Sequence, residues 1–166
     1  MKRLPRDVSV QLFTPTPSGW RYLMLRRLRG RGGFWQSVTG APLAGETDTE
    51  AAIREVHEET GYDVTAGIVP LGVSYCYALR PELADRWAAR YGRGVREISV
   101  VAFAAEVTAA VDPVLDFAEH DSFAWYRYEE ADAALDWPIE QDALAGRRRA
   151  LSALADMIGD KPNDNA

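Results

Sequence analysis

Three glutamates, Glu55, Glu58 and Glu59, fall at i, i+3 and i+4 within the run GAPLAGETDTEAAIREVHEETGY at positions 40–62. An α-helix turns by about 100° per residue, so the three carboxylates lie within roughly 100° of one another on one face. Like charges placed this way repel, which disfavours a free surface helix and suits one that surrounds hard cations with oxygen ligands. The chemistry open to such a face is that of a divalent metal centre.

The helix that must present them carries its own boundaries. Thr47 and Glu50 have capping-box spacing, in which each side chain accepts from the other residue's backbone N–H. Gly61 supplies the left-handed residue that stops a helix without steric cost. Ala52, Ile53 and Val56 flank the acidic face and are expected to pack on a sheet, leaving the carboxylates at its rim. Arg54 is placed to pair with one of them through a planar two-pronged contact.

Taken together, Gly40, Glu46, Arg54, Glu55, Val56, Glu58, Glu59, Gly61 and Tyr62 form the pattern G-x5-E-x7-R-E-hydrophobic-x-E-E-x-G-hydrophobic, which resembles the Nudix box. A solvated acidic helix would explain the charges but not the two glycines, the arginine and the register together. Many family members carry an aliphatic residue where Tyr62 stands and a further glutamate where Leu43 stands. The resemblance implies an α/β fold, an α/β/α sandwich around a mixed β-sheet. It also implies a phosphoanhydride hydrolase in which water attacks phosphorus and Mg²⁺, with Mn²⁺ able to substitute, binds the bridging oxygens of a polyphosphate. On this basis the metal set is Glu55, Glu58, Glu59 and the backbone carbonyl of Gly40, and the catalytic set is Arg54, Glu55, Glu58 and Glu59. Nudix enzymes commonly draw a further metal-binding glutamate from a loop before a late strand, and Glu119 stands at such a place, with Asp116 and Asp121 as neighbouring acids. The identity of the general base stays open, because this role moves between positions in the family.

Length and composition set the frame around that site. The chain has 166 residues, 47% of them hydrophobic, which fits a single domain over 1–160 followed by a tail at 161–166. A net charge of -6 and a pI near 5.0 argue against nucleic-acid or membrane-surface partners. Cys76 is the only cysteine, so no intrachain disulfide is possible, and a buried thiol in a strand is expected. The charged start is interrupted by Pro5, Arg6 and Asp7 before any long apolar run, and a cytoplasmic protein is expected.

β-Branched and aromatic runs predict strands at 8–13, 22–26, 35–38, 68–79, 97–107 and 123–128, with a turn over 14–19. A sheet built from them needs cover on both faces. The box helix is expected to supply one cover and a helix over 139–158 the other, since Leu144, Leu151, Leu154 and Ile158 recur at near-helical spacing.

Substrate choice must come from outside the box. The run FWQSVTG leading into Gly40, the stretch YGRGVRE at 91–97 and the Glu119-His120 pair resemble the Nudix enzymes that hydrolyse dihydroneopterin triphosphate in folate synthesis. Many other Nudix proteins place a proline and paired glycines where FWQSVTG stands. The resemblance implies a small-molecule triphosphate substrate, whose outer phosphates arginines such as Arg27, Arg93 and Arg96 would clamp and whose flat ring Trp35 would stack upon. Trp35 also reads as an ordinary core residue of a short strand. The alternatives are a broader nucleoside triphosphate or dinucleoside polyphosphate hydrolase, and a nucleotide-sensing module without catalysis. His120 reads as a surface or hydrogen-bonded loop residue, and His57, on the far side of the box helix, as structural.

Overall fold

A computed structural model describes residues 4–135 and 141–160. Its elements are β1 (Arg6–Thr16), β2 (Gly19–Arg27), β3 (Trp35–Gln36), β4 (Val38–Gly40), α1 (Asp48–Thr60), β5 (Val69–Ala78), α2 (Ala84–Tyr91), β6 (Glu97–Glu106), β7 (His120–Tyr126), α3 (Tyr128–Ala134) and α4 (Gln141–Ile158). The strands form one mixed sheet in the order β3-β2-β1-β6-β5, with β4 added to β1 and β7 to β2. β1 and β6 run parallel, in register from Arg6↔Ser99 to Phe13↔Glu106, and the other paired strands among the described residues run antiparallel. The consecutive short strands β3 and β4 pair with different partners, the first with β2 and the second with β1. The sheet therefore parts at Ser37, just before the chain reaches Gly40.

Period-two alternation sorts the strand residues onto two covered faces. Val8, Val10 and Leu12 of β1 pack with Leu25, Val38 and the α1 residues Ala52 and Val56. Phe13, Tyr22 and Met24 turn the other way, onto Leu151 and Leu154 of α4. The result is the α/β/α sandwich the sequence implies, with α1 and α4 as its two covers.

Several element boundaries differ from the sequence reading. The expected turn shrinks to Pro17 and Ser18, because β1 continues to Thr16 and pairs it with Gly19, whose φ of 102° only glycine adopts easily. The last strand begins at His120 rather than near Phe123 and ends at Tyr126, where α3 takes over. The α2 helix has no counterpart in the sequence reading, because it is only eight residues long, about two turns. Cys76 is exposed rather than buried. It lies on edge strand β5, where Tyr75 and Tyr77 face the core and the alternate residues face outward. The first residues of the expected C-terminal helix, 139 and 140, and the tail at 161–166 lie outside the described residues. No helix among the described residues is long and apolar enough to cross a membrane.

One close approach ties α4 to the sheet. A Cβ at Gly146 would sit 2.2 Å from the ring of Tyr75, which is itself buried and backed by the sheet. Gly146→Ala is expected to destabilise the protein by about 1–3 kcal/mol through overpacking. Urea unfolding measures this, and an unchanged midpoint would mean that α4 can slide off Tyr75 at no cost.

Candidate active site

The acidic helix forms with the predicted caps. Thr47 accepts from the Glu50 N–H at 3.2 Å, and the Thr47 N–H donates to Glu50 Oε2 at 2.8 Å. At the other end Gly61 takes φ 73° and donates its N–H to the His57 carbonyl at 2.9 Å. His57 itself is exposed.

The three box glutamates do not share one environment. Glu55 and Glu59 are buried, at 4% and 3% exposure, whereas the Glu58 side chain is 53% exposed. Glu55 is buried because Gly40 lets it be. A Cβ at Gly40 would fall 1.9 Å from the Glu55 carboxyl carbon, so no other residue could stand there without displacing that carboxylate. The start of the box and its helix meet at this contact.

Arg54 is the hub of the cluster. Its Nε and NH2 form a two-pronged pair with Glu46 at 2.7 and 2.9 Å, and NH1 reaches Glu55 at 2.7 Å and Glu58 at 3.1 Å. NH2 also donates to the Ala41 carbonyl at 3.1 Å. Every guanidinium edge is thus used, which fixes the rotamers of three carboxylates at once. Sequence reasoning expected one partner among the helix carboxylates and gave Glu46 no role.

Glu59 has no such support. It accepts from the Thr39 backbone N–H, but its Oε2 has no hydrogen-bond partner among the described residues. Burial, followed by the charges of Glu55 and Glu119, pushes its carboxyl well above the usual carboxylate range, against the opposing pull of Arg27. Glu119 completes the acidic ring from the turn before β7, where Arg27 and Arg31 pair with it at 3.3 and 3.4 Å. Among the described residues, no three His, Cys, Asp or Glu side chains converge closely enough to hold a metal as they stand.

The remaining predicted residues are spread more widely. Trp35 packs in the α4-side core, its ring edge-on to Tyr126 at 5.7 Å with the Arg26 guanidinium 5.7 Å above it. Arg93 and Arg96 are exposed on the wall of a cavity of 1110 Å³ between the end of β5, α2 and the start of β6, which Arg80 and Trp87 also line. The apolar cluster behind this cavity, with Leu79, Tyr77 and Tyr91, packs on Ala41 beside the box. The hydroxyls of Tyr77 and Tyr91 donate to Asp7 at 2.9 and 3.5 Å, holding β1 to this wall.

His120 departs most from its sequence reading. It is fully buried, and burial, reinforced by Arg27, pushes its pKa down to about 4, so the ring is neutral at pH 7. A register shift between Arg26 and Arg27 sets His120 opposite Arg27 and turns it inward. Nothing local in the sequence marks that bulge.

A model of the NUDIX domain matches residues 4–145. The chain belongs to the Nudix family. The Nudix box is thus the segment 40–62, and the fold around it is the family's. Dihydroneopterin triphosphate diphosphatase of Escherichia coli (strain K12) is 34% identical over 120 residues, covering 72% of this chain and 77% of that one. An octanoyltransferase of Myxococcus xanthus is 37% identical over 120 residues, but this chain spans only 30% of that relative's length. Among solved structures, the E. coli dihydroneopterin triphosphate pyrophosphohydrolase superposes with a TM-score of 0.72 at 27% identity, over 92% of this Nudix chain and 95% of its own. The chain is a Nudix hydrolase, and it resembles the dihydroneopterin triphosphate pyrophosphohydrolases.

The raised pKa of Glu59 has a consequence for stability without divalent ions. A carboxyl bound to its proton more tightly in the folded state than in the unfolded one contributes stability at low pH, and this is lost as pH rises from the ordinary value of 4.5 through the folded value. Glu59→Gln lacks the titrating group. Its stability is therefore expected to gain on that of the natural protein as pH rises above the ordinary carboxylate value of 4.5, by denaturant unfolding in chelator. Parallel pH profiles would mean that the burial of Glu59 costs nothing.

Proposed function

We propose that this Nudix hydrolase binds a divalent cation, Mg²⁺ with Mn²⁺ able to replace it, through Glu55, Glu59 and Glu119, with Glu58 and the Gly40 carbonyl at the margin. The observation that carries the reading is the buried Oε2 of Glu59, without a hydrogen bond among the described residues and under the charges of Glu55 and Glu119. Buried anions without partners are costly, and hard oxygen donors in a group are what such cations take. A bound divalent ion would neutralise charge on the phosphate oxygens and acidify water near phosphorus.

The chain's own residues then divide the work. Arg54 holds the rotamers of Glu55 and Glu58, so these two carboxylates are oriented by the chain itself. Arg27 and Arg31, already paired with Glu119, are the cations this reading assigns to the outer phosphates of a triphosphate. The cavity with Arg93, Arg96 and Trp87 is ample for a bicyclic ring, and Trp87 is the aromatic on its wall. This moves the stacking role away from Trp35, whose ring is used in the core.

The proposed reaction is dihydroneopterin triphosphate plus water giving dihydroneopterin monophosphate and pyrophosphate. One P–O bond between the α- and β-phosphates is broken, and the oxygen of water is added at phosphorus. Support for the pterin comes from the FWQSVTG run and from the 34% identity to an enzyme named for that substrate. A small-molecule polyphosphate is the partner, as the name of that relative suggests.

Purified protein with Mg²⁺, offered dihydroneopterin triphosphate, nucleoside triphosphates, dinucleoside polyphosphates and nucleotide sugars side by side, tests this reading. Pyrophosphate release is expected to be fastest, by kcat/KM, from the pterin. A preference for a nucleotide sugar would overturn the substrate, and no release from any compound would favour a nucleotide-sensing module. Glu59→Gln is expected to lose at least about 10²-fold in turnover with its circular dichroism unchanged, since several kcal/mol of charge stabilisation depend on the ion. Full activity in that variant would contradict the metal reading.

A further inference from the structure

A line of buried polar side chains leads from α4 to the unpartnered oxygen of Glu59. Arg147, on α4 and 5% exposed, donates from NH2 to Gln36 Oε1 at 3.1 Å and lies over the ring of Phe34 at 5.8 Å. An arginine only donates, so the oxygen end of the Gln36 amide faces Arg147 and the nitrogen end faces away. That nitrogen sits 3.4 Å from His120 Nε2. An amide nitrogen also only donates, so His120 Nε2 accepts and the ring proton is on Nδ1. The same Nε2 lies 4.0 Å from Glu59 Oε2.

The direction of these bonds matters more than their strength. Donors run from Arg147 through Gln36 and end on the lone pair of His120 Nε2. The imidazole consequently has no proton to offer Glu59 from that side, and the one it carries has no hydrogen-bond partner among the described residues. With its Nε2 proton in place the ring would tie Glu59 Oε2 to the interior.

The register of the sheet explains how the group assembles. Gln36 stands opposite Leu25, and His120 opposite Arg27, both on β2. Leu25 packs with α1, and residues directly opposite in a ladder share a face, so Gln36 and His120 both lie on the side where Glu59 is presented. Arg147 reaches the pair from α4 near the place where β3 and β4 part.

We propose that Arg147, Gln36 and His120 act as positioning residues, holding the imidazole in the tautomer that withholds a proton from Glu59 Oε2 and so leaves that oxygen for a divalent cation. The inference rests on Glu59 being a metal ligand, as argued above. It assigns to Gln36, within FWQSVTG, a part in metal affinity rather than in substrate contact.

The test is Mn²⁺ binding to the full chain without substrate, followed by electron paramagnetic resonance, in the natural protein and in Glu59→Gln, Gln36→Glu and Gln36→Leu. Gln36→Glu retains the acceptor for Arg147 and nearly the same shape, but it turns the adjoining group from donor to acceptor and draws the proton onto Nε2. It is expected to weaken Mn²⁺ binding about tenfold or more, the range typical of groups that orient metal ligands. The Mn²⁺ concentration for half-maximal turnover should rise in step, while KM for the polyphosphate at saturating metal stays as it was. Gln36→Leu should weaken binding as well, and Gln36→Glu keeps the test available if the leucine variant does not fold. Loss of Mn²⁺ binding in Glu59→Gln together with natural affinity in Gln36→Glu would overturn the proposal and leave the metal reading standing. Natural affinity in Glu59→Gln would remove the metal reading and this inference with it.

Discussion

Two carboxylates buried at the rim of a sheet, Glu55 and Glu59, are the constraint around which the rest of this protein is arranged. Burying an anion is costly unless it is paired, and the chain treats the two differently. Glu55 is given Arg54, which is itself anchored by Glu46 and the Ala41 carbonyl. Glu59 is given a backbone N–H and little else, so in the chain alone its carboxyl holds a proton more tightly than a free one does. The helix caps, the missing Cβ of Gly40 and the splitting of the sheet at Ser37 all serve to hold that imbalance in place.

What could be read from the sequence follows from how local each feature is. The box helix, its capping box and its glycine stop are set by residues within four positions of each other, and all form as expected. The two covers of the sheet were equally legible, because helical spacing of apolar residues needs no knowledge of partners. Contacts between distant segments were not. Glu46 as the chief partner of Arg54, the bulge that buries His120 and the reach of Arg147 to Gln36, 111 positions away, depend on strand pairing that no short window reveals. Cys76 was misplaced for a related reason, since alternation shows that a strand has two faces but not that one of them is left uncovered at a sheet edge.

The site also separates two tasks in space. Carboxylates and Arg54 gather on α1 and the turn before β7, while the arginines and Trp87 that could receive the rest of a substrate line a cavity against α2. The two regions meet at Ala41, whose carbonyl holds Arg54 and whose side chain packs with Tyr77 and Tyr91. Under the proposed reading, such a division would let the hydrolytic half stay constant while the cavity varies.

The central claim is that the buried charge of Glu59 is completed by a divalent cation. Thermal unfolding at pH 8 with and without Mg²⁺, in the natural protein and in Glu59→Gln, tests it most directly, because an ion that binds the folded state alone raises its stability. Mg²⁺ should raise the Tm of the natural protein by several degrees, on the order of 2.7 kcal/mol at a hundred times the dissociation constant, and raise that of the variant far less. Equal shifts in both proteins, or none in either, would contradict it.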